Sequence, residues 1–292
     1  MGAQRAGDRL HRPGAFARAA PRIPHGCGAG KLMLARMKTN SRIAAALLSL
    51  CVGCADAADL LIFGEVHDQP DQQRQVADEV QRLAAAGRLA AVVLEMAEVP
   101  HSTAALPRDA TAAQVQQALQ WRGWPWQRYE AVAMNAVRAG VPVLGGNLPR
   151  ERLRATMAEA GLDGQLPAAT REQLAQAVRE GHCKLLPEAQ VPGMVRIQIA
   201  RDLSLANTAA QALRGARPDQ TVLLLAGAQH ASRDRGIPLH LAAGDPALPV
   251  HVVMFGALSG NLAADERRDA SLTPQPNHCE ELQRSLGASA PN

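Results

Sequence analysis

The chain has 292 residues, among them 31 Lys and Arg against 27 Asp and Glu, and aromatic residues make up only 2%. Residues 1–54 contain nine of the basic residues and one of the acidic ones, so 22 basic and 26 acidic residues remain, a charge of about −4. Without a basic stripe or enough aromatic residues to stack on bases, the chain is not expected to bind nucleic acid.

Residues 1–54 predict an upstream region followed by a signal peptide. Two basic residues precede the apolar segment 43–52, which is too short to span a bilayer. The sequence LCVGC at 50–54 resembles a lipobox, with a small glycine before Cys54. We therefore expect lipidation at Cys54 and an exported lipoprotein anchored to a membrane, at the periplasmic or outer-membrane face. Cleavage after Ala57 without lipidation is the alternative.

Residues 55–258 predict one α/β domain with a mainly parallel sheet flanked by helices. Short apolar runs that lack alternation are typical of strands buried on both faces. Helical patterns lie between them, for example at 70–86 and 194–213. Residues 149–190 predict a small all-helical subdomain, and 259–292 a polar, peripheral C-terminal tail. The predicted strands lie at 60–63, 91–94, 141–144, 220–226 and 250–255.

Polar side chains follow four of these strands. Glu65 and His67 follow the first strand, Glu95 the second, and His230 the fourth, while the third ends in Gly145-Gly146-Asn147. Because the carboxyl ends of parallel strands open into one crevice, these residues are expected to meet there.

Two glutamates and two histidines in such a crevice suit several kinds of chemistry. They are ligand types for zinc, manganese or iron, so Glu65, His67, Glu95 and His230 are candidate metal ligands. Without a metal, a carboxylate paired with an imidazole performs general acid–base catalysis. A buried carboxylate–imidazole network that only holds the loops is the structural alternative.

Residues 121–129 contain all three tryptophans and the only tyrosine, Tyr129. In a chain so poor in aromatic residues, two interpretations stay open. The segment is either a hydrophobic corner that packs one helix on another or a surface for a flat aromatic ligand.

Several separate motifs resemble the ChaN-like haem-binding lipoproteins of the Tiki/TraB/erythromycin-esterase-like superfamily. They occur between about residue 59 and about residue 256, in the order of that family. The motifs are GEVHD at 64–68, GNLPR at 146–150, His182-Cys183, Gln198-x-x-Arg201-Asp202, and AGAQH at 226–230 followed by Asp234-Arg235-Gly236-Ile237-Pro238.

The resemblance implies a role in haem and iron uptake, with haem bound non-covalently where two subunits of a homodimer meet. It also implies a tyrosine as the axial ligand and imidazole or basic groups near the propionates. Tyr129 is the only phenol available as this ligand. The alternative to ligation is that Tyr129 packs in the interior with its hydroxyl hydrogen-bonded. In that case His182 is the next candidate ligand. The residues expected to contact haem are Tyr129, His182, Lys184, Asn147, Arg150 and Arg201.

Other members of the superfamily imply enzymes rather than haem carriers. Tiki-like members imply metal-dependent hydrolysis, and erythromycin-esterase-like members imply a metal-free esterase reaction. Whether the protein is an enzyme therefore stays open at this point.

Cys183 and Cys279 are the only cysteines after the leader. Because an exported protein meets an oxidising environment, we predict a disulfide between them, with two free thiols as the alternative.

Overall fold

The computed structural model describes residues 57–256 and 261–288, so the predicted leader and Cys54 lie outside the described residues. The described residues contain a six-stranded, all-parallel sheet with the order β3-β2-β4-β1-β5-β6. Its strands are β1 Asp59–Glu65, β2 Leu89–Glu98, β3 Val143–Asn147, β4 Thr221–Gly227, β5 Val250–Phe255 and β6 Glu266–Arg268. The predicted fold class is confirmed.

Helices cover both faces of the sheet. Their bounds are α1 Pro70–Ala85, α2 Ala112–Ala118, α3 Trp126–Ala139, α4 Leu153–Thr156, α5 Ala168–Gly181, α6 Val191–Gly215, α7 Ala228–Ala231, α8 Ile237–Gly244 and α9 His278–Ala288. Thr111 begins α2 with a capping box, because its side chain accepts from the backbone N–H of Gln114 and the Gln114 side chain accepts from the backbone N–H of Thr111.

The core is divided between the two faces because neighbouring residues of a strand point in opposite directions. Phe63 and Leu223 pack with α1 and α3 on one face. Ile62 and Leu224 pack with α6 and α8 on the other face. Every residue of β4 is buried, which explains why its sequence is a continuous apolar run.

The helical subdomain predicted at 149–190 packs against the first half of α6. Its small core contains Leu174 and Val178 of α5 with Val195 and Ile199 of α6. The first part of this subdomain contains little α-helix, since α4 has four residues and is flanked by the 3₁₀ turns Arg150–Arg152 and Ala160–Gly164. This segment buries few side chains, so little packing stabilises a longer helix.

The C-terminal tail, predicted at 259–292 to be polar and peripheral, is mostly exposed and contributes two elements to the domain. Its residues form β6, which extends the sheet, and α9, which is joined to the turn after α5 through a disulfide between Cys183 and Cys279 with Cα atoms 5.5 Å apart. Between them, Thr273 exchanges two hydrogen bonds with the Gln69 side chain, of 2.8 and 3.1 Å. The hydropathy of the tail does not predict the pairing of β6 or the bonds of Thr273, because backbone groups of the tail make them.

The part of the chain that the structure describes has no helix both long and apolar enough to cross a membrane.

Candidate functional site

The carboxyl ends of β1, β2 and β4 open into a cleft of about 670 Å³. All four residues predicted to meet there line it, namely Glu65, His67, Glu95 and His230. The cleft therefore lies at the sheet edge where parallel α/β proteins place their ligands.

Glu65 ends β1 and is buried, so its carboxylate needs hydrogen-bond donors. The Tyr129 hydroxyl donates to Glu65 Oε1 over 2.7 Å, and the Gln73 side-chain amide donates to Oε2. His67 Nδ1 lies 2.9 Å from the same Oε1. These three contacts supply hydrogen-bond partners to the Glu65 carboxylate and orient the His67 ring.

His67 is the more accessible imidazole of the cleft, with 29% of its side chain exposed. Burial acts to lower the pKa of His67, but the hydrogen bond to Glu65 and the charge of Glu95 outweigh burial and raise it. Its Nε2 lies 4.0 Å from Glu95 Oε2, and its ring contacts Trp124 at a centroid distance of 4.5 Å.

His230 lies on α7, directly after β4, and is buried. Its Nδ1 is 2.6 Å from Asp202 Oδ1, and its Nε2 is 3.6 Å from Glu95 Oε1. Burial acts to lower the pKa of His230, but the charges of Glu95 and Asp202 raise it to about 9. Burial raises the pKa of Asp202 to about 6, against the opposing effect of His230. At neutral pH the two form a buried ion pair.

Asp202 was not predicted as a site residue. It belongs to the Gln198-x-x-Arg201-Asp202 motif, but a helical pattern alone does not reveal that Asp202 points at His230. The available signal was that this motif lies on the predicted helix 194–213, directly before the strand that His230 follows.

Glu95 lies between the two imidazoles. Burial acts to raise its pKa, but the charges of His230 and His67 and a 2.7 Å hydrogen bond from the Gly227 N–H keep it below its usual value. A Cβ at Gly227 would lie 3.0 Å from His67 Nε2, so glycine allows this close approach. Asn147 donates to the Glu95 carbonyl over 2.9 Å and holds the end of β2.

The metal prediction finds no support in the part of the chain that the structure describes. There, no group of three or more His, Cys, Asp and Glu side chains is arranged to hold a metal ion. The carboxylates and imidazoles of the cleft instead pair with one another.

Tyr129 lies on α3 and is fully buried against the other aromatic residues of 121–129. Burial and the charge of Glu65 raise its pKa well above the usual value for a phenol. This arrangement matches the packed, hydrogen-bonded alternative. Iron ligation by Tyr129 would require its bond to Glu65 to break. Of the three tryptophans, Trp124 lines the cleft.

The other residues predicted to contact haem are spread over different places. Arg201 lines the cleft, whereas Arg150 is exposed, with its Nε 3.7 Å from Glu98 Oε1. His182 borders a second groove of about 220 Å³, which shares Gln198 and Gln229 with the cleft. Lys184 is exposed next to this groove.

Fold and site together define a parallel α/β protein with paired acids and histidines at the carboxyl edge of its sheet. A family model described as "Haem-binding uptake, Tiki superfamily, ChaN" matches residues 52–241, more than half of the chain. The chain belongs to this family, which confirms the resemblance found in its sequence.

One solved structure supports the fold. The structure described as "Cofacial heme binding to ChaN of Campylobacter jejuni" has 24% sequence identity and a TM-score of 0.56, and the match covers 68% of this chain and 82% of that chain. A protein from Bacillus cereus, at 13% identity, has a TM-score of 0.37 over 69% of this chain and 66% of that one. The type III effector HopBA1, at 12% identity, has a TM-score of 0.36 over 73% and 88%. No curated protein matches the chain.

Proposed function

We propose that this protein binds haem non-covalently and serves in haem and iron uptake. The observation that carries this proposal is the family match over residues 52–241. The similarly folded Campylobacter protein is described as binding haem cofacially, which supports the same ligand here.

The groove beside His182 offers the best-prepared iron ligand. His182 Nδ1 lies 2.8 Å from the Val178 carbonyl, which only accepts, so Nδ1 carries the proton and Nε2 of the neutral ring keeps its lone pair. Metal-binding histidines commonly anchor their second nitrogen in this way. His182 therefore replaces Tyr129 as the proposed axial ligand.

The size and exposure of this region support haem binding at a subunit interface. A groove of about 220 Å³ is smaller than the pockets that usually enclose ligands of drug size. The nearby Leu185 side chain is exposed, which is uncommon for leucine in this structure. A second copy of the chain would cover both, with Lys184 placed to meet a propionate.

Titration with ferric haem, followed by Soret absorbance and sedimentation, tests the proposal. We expect saturable binding with haem-dependent dimers, a loss of affinity of about tenfold or more in His182→Gln, and no change in Tyr129→Phe. His251→Gln is the matched control, because His251 lies on the exposed start of β5. No Soret shift in the wild type would refute haem binding. A loss confined to Tyr129→Phe would restore tyrosine ligation.

We propose that the protein is exported and anchored through a lipidated Cys54. The small residue before Cys54 and the preceding apolar segment support this. Mass spectrometry of membrane fractions should find the modified cysteine, and Cys54→Ser should release the protein. A soluble, unmodified wild type beginning at Ala58 would contradict the proposal.

A hydrolase is the second candidate, favoured by the two acid–imidazole pairs in one cleft. His67 is oriented by Glu65, and His230 is charged beside Asp202, which suits a base and an acid acting on a bound ester. Turnover of ester substrates that disappears in His67→Gln and persists in His251→Gln would support it. Equal activity in both variants would refute it.

A further inference from the structure

Arg201 places a cation in the cleft, and the described part of the chain supplies it with no hydrogen-bonded partner. It lies on α6, and its Nε is buried and makes no hydrogen bond. Among the residues that the structure describes, none forms an ion pair with its guanidinium within 4.0 Å. Buried polar groups in native proteins are nearly always satisfied, so the buried Nε of Arg201 indicates a donor that a ligand in the cleft would satisfy.

The neighbouring acids do not take this role because they have other partners. Glu95 accepts from the Gly227 N–H over 2.7 Å, and Asp202 is bonded to His230 over 2.6 Å. By contrast Arg235, the other arginine lining the cleft, has Asp234 as a partner at 3.0 Å. Arg201 is thus the cation whose donors stay available for a ligand.

The opposite wall of the cleft is aromatic. Trp124 packs with the α1 and α3 layer, whereas Arg201 belongs to α6 on the other face of the sheet. The buried Leu262 adds a further apolar surface to the lining. A ligand here therefore meets an apolar surface and an unpaired guanidinium at once.

We propose that the cleft binds a small organic anion, a carboxylate or a phosphate carried on an apolar or aromatic body, and that Arg201 holds the anionic group. The planar guanidinium matches the geometry of both groups and forms two parallel hydrogen bonds with either. This site goes beyond haem binding, because it concerns the acid–histidine cleft and not the groove beside His182.

Three probes of similar shape test the proposal on the full-length protein: benzoate, phenyl phosphate and neutral benzamide. Binding is followed by calorimetry and by tryptophan fluorescence, at constant ionic strength. We expect at least one anion to bind about tenfold or more tightly than benzamide, since hydrogen bonds between charged groups are worth that much. The tighter of the two anions identifies the group that the cleft prefers.

Variants of one helix then isolate Arg201. Arg201→Met should remove the preference for the anion, and Arg201→Lys should retain part of it, because the charge remains but the planar fork is lost. Arg214→Met is the matched control, since Arg214 is exposed about 20 Å further along α6 by the rise of the helix. This control should keep the preference.

Several results would overturn the proposal. One is that benzoate, phenyl phosphate and benzamide bind with equal affinity. Another is that neither anion binds at millimolar concentration. A third is that Arg201→Met keeps the preference for the anion over benzamide. The comparison of the three probes in the wild type needs no variant, so it decides the matter even where Arg201→Met fails to fold. Haem titration of the same sample separates the two proposals. If haem does not bind but an anion does, haem binding is refuted and the anion site is not.

Discussion

Replacing Tyr129 by Phe removes one oxygen from the centre of the site and leaves the ring packing in place. The lost bond joins a fully buried hydroxyl to the Glu65 carboxylate over 2.7 Å. Hydrogen bonds to charged groups contribute about 1.5–3 kcal/mol. His67 and Gln73 still contact Glu65, so we expect the free energy of unfolding to fall by the lower part of this range.

The measurement is urea-induced unfolding followed by circular dichroism, with the disulfide intact. A double-mutant cycle with Glu65→Gln isolates the pair, because glutamine keeps an acceptor oxygen but removes the charge. We expect Tyr129→Phe to be less destabilising in the Glu65→Gln background than in the wild type.

A loss below about 0.5 kcal/mol, the range typical of surface substitutions, would refute this reasoning. The same would hold if the effects of Tyr129→Phe and Glu65→Gln were additive. Either result would show that Glu65 does not hold a charge supported by Tyr129.

Three further predictions concern pH, the disulfide and the last residue of β4. The pKa of His230 is raised from 6.5 to about 9. The contribution of His230 to stability is therefore complete below pH 6.5 and declines as pH rises through 9. NMR titration should find this pKa lowered in Asp202→Asn. An unchanged His230 titration in that variant would contradict the ion pair. Replacing Cys183 and Cys279 by Ser opens a loop with a sequence separation of 96 residues. This change should reduce the free energy of unfolding by about 2–4 kcal/mol. An unchanged urea midpoint would argue against a formed bridge. Gly227→Ala puts a Cβ 3.0 Å from His67 Nε2 and should shift the His67 titration. The control Gly244→Ala, where a Cβ meets open space, should leave that titration unchanged. Equal effects of the two variants would refute this close contact.

Local sequence patterns encode the parallel sheet and the edge at which the site forms. Apolar runs without alternation indicate strands buried on both faces, as in β4. In a parallel sheet the residues after such strands share one edge. For this reason the strand pattern is sufficient to place Glu65, His67, Glu95 and His230 in one cleft.

The partners of the buried polar groups depend instead on tertiary packing. Asp202 and Tyr129 lie on helices far from their partners in the chain, and the docking of α6 and α3 turns them toward His230 and Glu65. The polar β6 joins the sheet through backbone hydrogen bonds that hydropathy does not reveal. A local pattern shows which face of an element is apolar, whereas the partner of a buried polar group is set by how distant elements pack.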